Sequence, residues 1–375
     1  MTGLLLFIGL VMFIGLVVVH EFGHYLAARR GGVEVEEFGI GFPPVAWSRK
    51  LKNGVLFTLN WLPLGGFVKL KGENDSAKAK GSFGAAPLKT KIAIMLAGVG
   101  MNLGAAFILF TFLALVGMPK LIDNQFTVDS DTKIVQNQVL VGRVEQGSPA
   151  EKAGLQERDK ITAIGVKDNK KAVSSAEQLP EVTKSFAGRK VDIDIVRAGQ
   201  SQTLQTQLRS TQEVEASQKT NNPKGYMGVS PAEFTIRRST WSAPLVGVGI
   251  IKQFTVETLK GIGNALWDAI RGRGGEAGAQ VSGPVGIVVL LKDGSLMGYE
   301  FVLMIIAIIS LTLAIMNTLP IPALDGGRLF VTLLYRKVLR KPLSQETEER
   351  IHGTGFAVLM LLFLVITVVD IKRFL

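Results

Sequence analysis

Four stretches of this chain, residues 4–28, 92–118, 301–319 and 355–369, are almost continuously apolar. Each is near or above the roughly 17–25 residues that cross a hydrocarbon core as a helix. Backbone N–H and C=O groups find no water in lipid, so a spanning segment must satisfy them internally, and segments this long do so as helices. The expected fold class is therefore a multi-span α-helical membrane protein with four transmembrane helices. A hydrophobic fraction of 47% over 375 residues agrees with it. Because Met1-Thr2-Gly3 carries no basic residue and no small-residue cleavage pattern follows, the first span is expected to remain in the mature protein.

Charge sets the orientation. Basic residues from Arg29 to Lys91 crowd the connection between the first two spans, and Arg328, Arg336, Lys337, Arg340, Lys341 and Arg350 that between the last two. The positive-inside rule makes both connections cytoplasmic and puts the segment of about residues 119–299 outside. Lys372 and Arg373 in the short outer tail run against the rule. The net charge of +11 comes without zinc-finger spacing or an aromatic-rich strand motif, so no nucleic-acid partner is expected.

The chain then divides into a first transmembrane helix (1–30), a cytoplasmic-side region with a membrane-associated β-hairpin and a loop (31–90), and a second transmembrane helix (91–118). An extracytoplasmic module with its linker (119–230) and an amphipathic membrane-surface helix region (231–299) follow. A third transmembrane helix (300–327), a cytoplasmic loop (328–353) and a fourth transmembrane helix with its tail (354–375) complete it. In the hairpin region, Val55-Leu56-Phe57-Thr58-Leu59 and Phe67-Val68-Lys69-Leu70 flank a turn at Pro63, Gly65 and Gly66. In the outer module, short apolar runs at 140–144, 161–164 and 191–196 alternate with turns, and 176–184 reads as a helix, which together suit a compact α+β domain. The polar stretch 210–224 reads as a linker. Val248, Ile251, Leu259, Ile262, Leu266 and Ile270 fall on one helical face, which predicts an amphipathic surface helix followed by a Gly-rich joint at 271–278.

Inside the first span lies His20-Glu21-Phe22-Gly23-His24. Histidines four apart share a helix face, so both imidazoles can reach one Zn²⁺, and the adjacent glutamate can act as general base toward a zinc-activated water. The blander alternative is a pair of interfacial histidines beside a solvated glutamate. An ionisable group at the centre of a span costs about 2.5–3.5 kcal/mol on insertion scales, which favours a functional reading.

Catalytic zinc takes three protein ligands and keeps a fourth position open. The chain has no cysteine and only one further histidine, so the third ligand is a carboxylate or His352. Asp325 is the better candidate: it follows the third span in Asn317-Thr318-Leu319-Pro320-Ile321-Pro322-Ala323-Leu324-Asp325-Gly326-Gly327, at the same cytoplasmic depth as His20 and His24. His352 reads as an interfacial histidine. Asn317 could contact substrate or bond across helices.

With these residues in place, the sequence resembles the site-2 protease family of intramembrane zinc metalloproteases, in particular its bacterial RseP-type branch. The likeness covers nearly the whole chain. It rests on His20 to His24, on Pro63-Leu64-Gly65-Gly66-Phe67-Val68-Lys69, on Gly283-Pro284-Val285-Gly286-Ile287 and on Asn317 with Leu324-Asp325-Gly326. Gly147-Ser148-Pro149-Ala150-Glu151-Lys152-Ala153-Gly154-Leu155, followed by Arg158-Asp159-Lys160-Ile161, resembles a bacterial PDZ signature. Arg158 stands where that signature usually has glycine, and Val99 where the family often has proline, while Asn102 matches.

The resemblance implies one Zn²⁺ per chain held by His20, His24 and Asp325, with Glu21 as general base. A strand edge around Gly65, Gly66 and Phe67 would receive an extended substrate, and one PDZ domain would gate access. It implies a multi-pass protein of the bacterial inner membrane, with single-span membrane proteins as partners, such as anti-sigma factors or remnant signal peptides, and with the lipid bilayer as its surroundings. A membrane-anchored PDZ binding protein with a vestigial metal site would not need the intact set. A zinc transporter would not need a glutamate beside the first histidine.

Overall fold

The computed structural model describes residues 2–374 except 168, 198, 219, 221, 273–282 and 342. The chain forms two compact units: residues 1–116, 126–128 and 241–375 make the first, and residues 117–125 and 129–240 the second.

The first unit is helical. Helix α1 (Thr2–Arg30) and helix α2 (Leu88–Val116) have 29 residues each, about 43 Å at 1.5 Å per residue, ample for a bilayer core. Between them, strands β1 (Val35–Lys50) and β2 (Leu56–Leu70) form a small antiparallel sheet. Its pairing differs from the expected hairpin. Phe38 pairs with both Phe57 and Val68, and Ile40 with both Leu59 and Gly66, so the two halves of β2 lie on either side of residues 35–40 instead of against each other. The second half of β1 covers the far side of the first half of β2, through Trp47 to Leu59 and Arg49 to Phe57. Val35 and Phe38 bury into a core with Ala28, Ile94 and Met95, which draws residues 35–40 into the middle. The half of β2 from Gly66 to Leu70 is thereby left at an edge.

Helix α6 (Ala243–Ile270) spans the stretch expected to form an amphipathic helix. Its first half lies on α2, with Val246 and Ile250 buried and Phe254 stacked on Phe110 at 6.1 Å, while Leu259, Leu266, Trp267 and Ile270 stay exposed. The joint expected at 271–278 lies, beyond its first two residues, outside the described residues. Helix α7 (Pro284–Met297), which the hydropathy pattern does not single out, and helix α8 (Tyr299–Met316) pack on α1 through Leu16, Leu291, Val302 and Ile306. A proline-containing turn leads to helix α9 (Asp325–Leu333), whose end passes into a π-helical turn (Leu334–Val338), and helix α10 (Gln345–Phe374) completes the unit. Helices α1, α2, α8 and α10 are each long and apolar enough to cross a membrane.

Two polar features fasten α10. Near its start, Glu348 accepts the Asp75 N–H at 2.7 Å, and the buried Asp75 carboxylate binds Lys91 of α2 and Arg336 of the π-helical turn. These contacts let α10 begin ten residues before the apolar stretch at 355: Glu348, in its charged first turns, is buried against Asp75. Burial alone would raise the Asp75 pKa, yet the hydrogen bonds and charges of Arg336 and Lys91 override it and hold the carboxyl below its usual value. Near its end, Asp370 accepts the N–H groups of Gly283 and Gly286 at 2.9 and 2.7 Å. The Gly283-Pro284-Val285-Gly286 motif is thus a helix N-terminus that receives an internal carboxylate, a pairing favoured by the helix dipole.

The second unit is a sheet in the order β3 (Met118–Pro119), β9 (Val229–Arg238), β4 (Lys133–Val144), β5 (Lys160–Val166), β7 (Lys190–Arg197), β8 (Gln200–Gln207), with β6 (Asn169–Ala172) beside β5. Helices α3 (Pro149–Lys152), α4 (Gln178–Ser185) and α5 (Thr211–Gln218) accompany it, and Val139, Ile161, Ile164, Leu179, Val191 and Ile193 share one core. Helix α4 matches the expected helix. The stretch expected to be a linker contains α5, which forms because Val214 and Ser217 are buried; the unit runs on to Thr240, ten residues past the expected boundary.

Candidate metal centre

Helix α1 brings His20 and His24 to one face, one turn apart. Helix α2 lies against that face so closely that a Cβ on Gly23 would stand 2.6 Å from the Ala97 carbonyl oxygen. A Cβ on Gly98 would stand 2.6 Å from His20 Cε1, His20 Nε2 and His24 Nε2. Glycine on both helices is what admits the two rings between them. The Nδ1–H of His24 donates to the Ile94 carbonyl at 2.8 Å, which leaves Nε2 as the nitrogen with the lone pair.

Asp325 comes to the same place from 305 residues further along the chain. Helix α8 ends at Asn317, whose Nδ2 donates to the Leu313 carbonyl at 3.0 Å. Pro320 and Pro322 lack the N–H needed to continue a helix. The chain turns through Ala323 at φ +76°, in the left-handed region, and its N–H is received by His352 Nδ1 at 3.3 Å. The Gly326 N–H then returns to the Asn317 carbonyl at 2.8 Å. Gly326 and Gly327 press on the backbone of Thr318 and Ile321, where a side chain would collide. This fold-back makes Asp325 the first residue of α9.

The result is a triangle of donor atoms. Asp325 Oδ2 lies 3.0 Å from His20 Nε2 and 3.2 Å from His24 Nε2, and the two Nε2 atoms are 3.2 Å apart. A tetrahedral zinc ion with arms of 2.0–2.1 Å needs neighbouring ligand atoms about 3.3–3.4 Å apart, so the trio fits zinc in number, donor type and spacing. The side chains are 10%, 12% and 24% exposed, which leaves the carboxylate side open to a further ligand. Among the described residues this is the group of His, Cys, Asp or Glu side chains able to hold a metal. His352 stands outside it and holds the turn before Asp325.

Glu21 sits beside the trio on α1, with the Val68 backbone near its carboxylate. Gly66 is next to it: a Cβ there would be 3.2 Å from Glu21 Cγ. The edge half of β2 therefore runs past the carboxylate. Phe67 pairs with Gly39, and Gly65 abuts the Phe42 ring. Of the sequence candidates, His20, Glu21, His24, Asp325 and Gly66 converge. Phe67 and Gly65 border this ground on the same strand, and the Asn317 side chain turns back onto its own helix.

Sequence comparison agrees with this geometry. The model of Peptidase family M50 matches residues 8–362. The chain belongs to Peptidase family M50. Similar M50 relatives include the zinc metalloprotease RasP of Shouchella clausii, 27% identical, with 100% of this chain and 99% of RasP aligned. Cj1068 of Campylobacter jejuni, provisionally described as a zinc metalloprotease, is 30% identical over 95% of this chain and 90% of its own length. The probable protease Eep of Enterococcus faecalis is 25% identical over 96% of each chain. The site-2 protease resemblance is borne out, and the M50 protein is an integral membrane zinc metallopeptidase.

Proposed function

We propose that this chain hydrolyses single-span membrane proteins at the membrane, in regulated intramembrane proteolysis, with His20, His24 and Asp325 as the zinc ligands and Glu21 as general base. The observation that carries the reading is the donor triangle of 3.0–3.2 Å edges beside Glu21 on a membrane-spanning helix. When bound there, zinc supplies a Lewis acid that polarises the scissile carbonyl and lowers the pKa of water toward ~7.

The chain's own residues do the rest. The Glu21 carboxylate takes the proton of the attacking water and returns it to the departing amide nitrogen. The edge of β2 at Gly66, Phe67 and Val68 holds the substrate backbone extended, as a strand added to the sheet, because a helix conceals the carbonyl that must be attacked. Gly66 keeps that edge close to Glu21. Asn317, with Nδ2 given to Leu313, offers its remaining amide capacity to the substrate.

The second unit is proposed as an extracytoplasmic PDZ gate. Ser148 caps α3 through the Glu151 N–H, Pro149 opens that helix, and Arg158 has φ +72°, the conformation that explains the glycine of the usual signature. A groove of about 240 Å³ between α4, α5 and the start of β9 is lined by Leu179, Thr183, Val214, Tyr226, Gly228 and Val229. The charge pattern supports a bacterial inner-membrane protein with this unit outside. The substrates proposed for such a gate are anti-sigma factors or remnant signal peptides, as the family resemblance implies.

The test is cleavage of single-span substrates by purified protein in detergent, for the parent and Glu21→Gln, with zinc measured on both. The parent should cut, the variant should not, and both should hold about one zinc per chain. Undiminished cleavage by Glu21→Gln removes Glu21 as base. Zinc binding without cleavage of any of several single-span substrates overturns the peptidase assignment for this chain.

A further inference from the structure

Helix α2 meets the two histidines with one face. Ile94, Gly98 and Asn102 follow at four-residue intervals and so lie along one side of the helix. The Ile94 carbonyl receives His24 Nδ1–H, Gly98 makes room for both rings, and the Asn102 side-chain amide lies 3.2 Å from His20 Nδ1. Asn102 is fully buried, and its backbone carbonyl accepts the Ser310 hydroxyl at 2.8 Å, tying this point of α2 to α8.

A neutral imidazole has one N–H and one lone pair. For His24 the choice is made by Ile94, since a carbonyl can only accept. His20 faces an amide instead, whose nitrogen and oxygen are isosteric. With Nδ2 toward the ring, Nδ1 is the acceptor, the hydrogen moves to Nε2, and Asn102 Oδ1 is buried with no donor. With the amide turned over, Oδ1 receives Nδ1–H and the His20 Nε2 lone pair joins that of His24. In the first orientation the amide oxygen has no donor, so no protein partner holds it that way and the imidazole decides between the two. Two Nε2 atoms 3.2 Å apart and facing one carboxylate serve a cation only if both present lone pairs.

We propose that Asn102 is a positioning residue of the metal centre: its Oδ1 accepts the His20 Nδ1–H, fixing the ring's tautomer and plane as the Ile94 carbonyl fixes those of His24. The proposal rests on the ligand assignment made above. It makes α2 the common support of both histidines, by a backbone group for one and a side chain for the other. Such hydrogen bonds to ligating histidines raise their basicity, and losing one typically weakens metal binding about 10–100-fold.

The experiment measures zinc affinity of the purified full-length protein by competition with a chromophoric chelator, together with the absorption spectrum of the cobalt-substituted protein. Parent, His20→Ala, Asn102→Leu and Asn102→Asp are compared. Leucine keeps the volume and removes the acceptor, so zinc should bind about 10–100-fold more weakly and the cobalt bands should shift. Aspartate keeps an acceptor and should hold zinc at least within a few-fold of the parent, although unfolding of the metal-free proteins should show it to be no more stable than leucine, because it buries a charge. Asn102→Ala gives the same contrast by truncation if the leucine variant misfolds. Parental zinc affinity in the leucine or alanine variant overturns the proposal, as does an equal loss in the aspartate and leucine variants. A parent that binds no more zinc than His20→Ala overturns the ligand assignment itself.

Discussion

Replacing Gly98 with alanine should strip the metal from this protein while leaving its helices assembled. The added methyl would stand 2.6 Å from three imidazole atoms, His20 Cε1, His20 Nε2 and His24 Nε2, where ordinary contact begins at 3.4 Å. The rings, or α2 itself, must therefore yield by about 0.8 Å, several times the ~0.2 Å tolerance of a metal-ligand distance. Overpacking costs about 1–3 kcal/mol and the glycine-to-alanine change returns about 1 kcal/mol of helix propensity, so the metal-free protein should lose no more than about 2 kcal/mol. Zinc affinity should fall by more than 100-fold, beyond the ~10–100-fold range typical of losing a ligand's hydrogen-bond partner. Chelator competition and thermal unfolding of the metal-free protein read the two quantities separately. At Gly100 and Gly104 on the same helix an alanine methyl would have nothing within 4 Å, so Gly100→Ala and Gly104→Ala should leave zinc untouched and serve as controls. Parental zinc affinity in Gly98→Ala would refute the close approach of α2 to the rings.

Three further outcomes follow from buried polar contacts. Asp75→Ala leaves Lys91 without its carboxylate partner, and breaking such a buried pair should cost about 3–5 kcal/mol in denaturant unfolding; an unchanged midpoint would show the cluster to be solvated. Because the folded-state pKa of Asp75 is depressed, its contribution is present above the unfolded carboxyl pKa of about 4 and is lost as pH falls through the lower folded value, so a stability profile of the parent against Asp75→Asn should converge only in acid. His352→Asn, which keeps an acceptor near the Nδ1 position, should bind zinc better than His352→Leu, which leaves the Ala323 N–H unpaired at a cost of about 1–3 kcal/mol; equal affinities would disconnect that turn from Asp325.

The sequence displays some of this directly and conceals the rest for physical reasons. The spans are legible because hydropathy is a local property, and the histidine pair because positions four apart share a face in any helix. Asp325 is reachable by elimination and by depth. The Ile94 carbonyl is not, since a backbone acceptor leaves no residue-specific mark, and Gly98 looks like one more small residue in a membrane helix. The runs around Phe57 and Val68 are visible, but which strand lies between them depends on residues 35–40 and their burial against α1 and α2, a non-local choice. The charged start of α10 and the polar α5 stay hidden for a shared reason: each depends on tertiary burial, of Glu348 against Asp75 in the one and of Val214 and Ser217 in the other.

The 305 residues between His20 and Asp325 also impose a schedule on biosynthesis. At about 5–20 residues per second, Asp325 is made roughly 15–60 s after the histidine pair has entered the membrane. Throughout that interval the nascent chain carries two imidazoles and a glutamate but no third donor. On the ligand assignment proposed above, the peptidase is completed only after α9 has been made, so a ribosome-bound or truncated chain that stops short of α9 should not cut its neighbours in the insertion machinery.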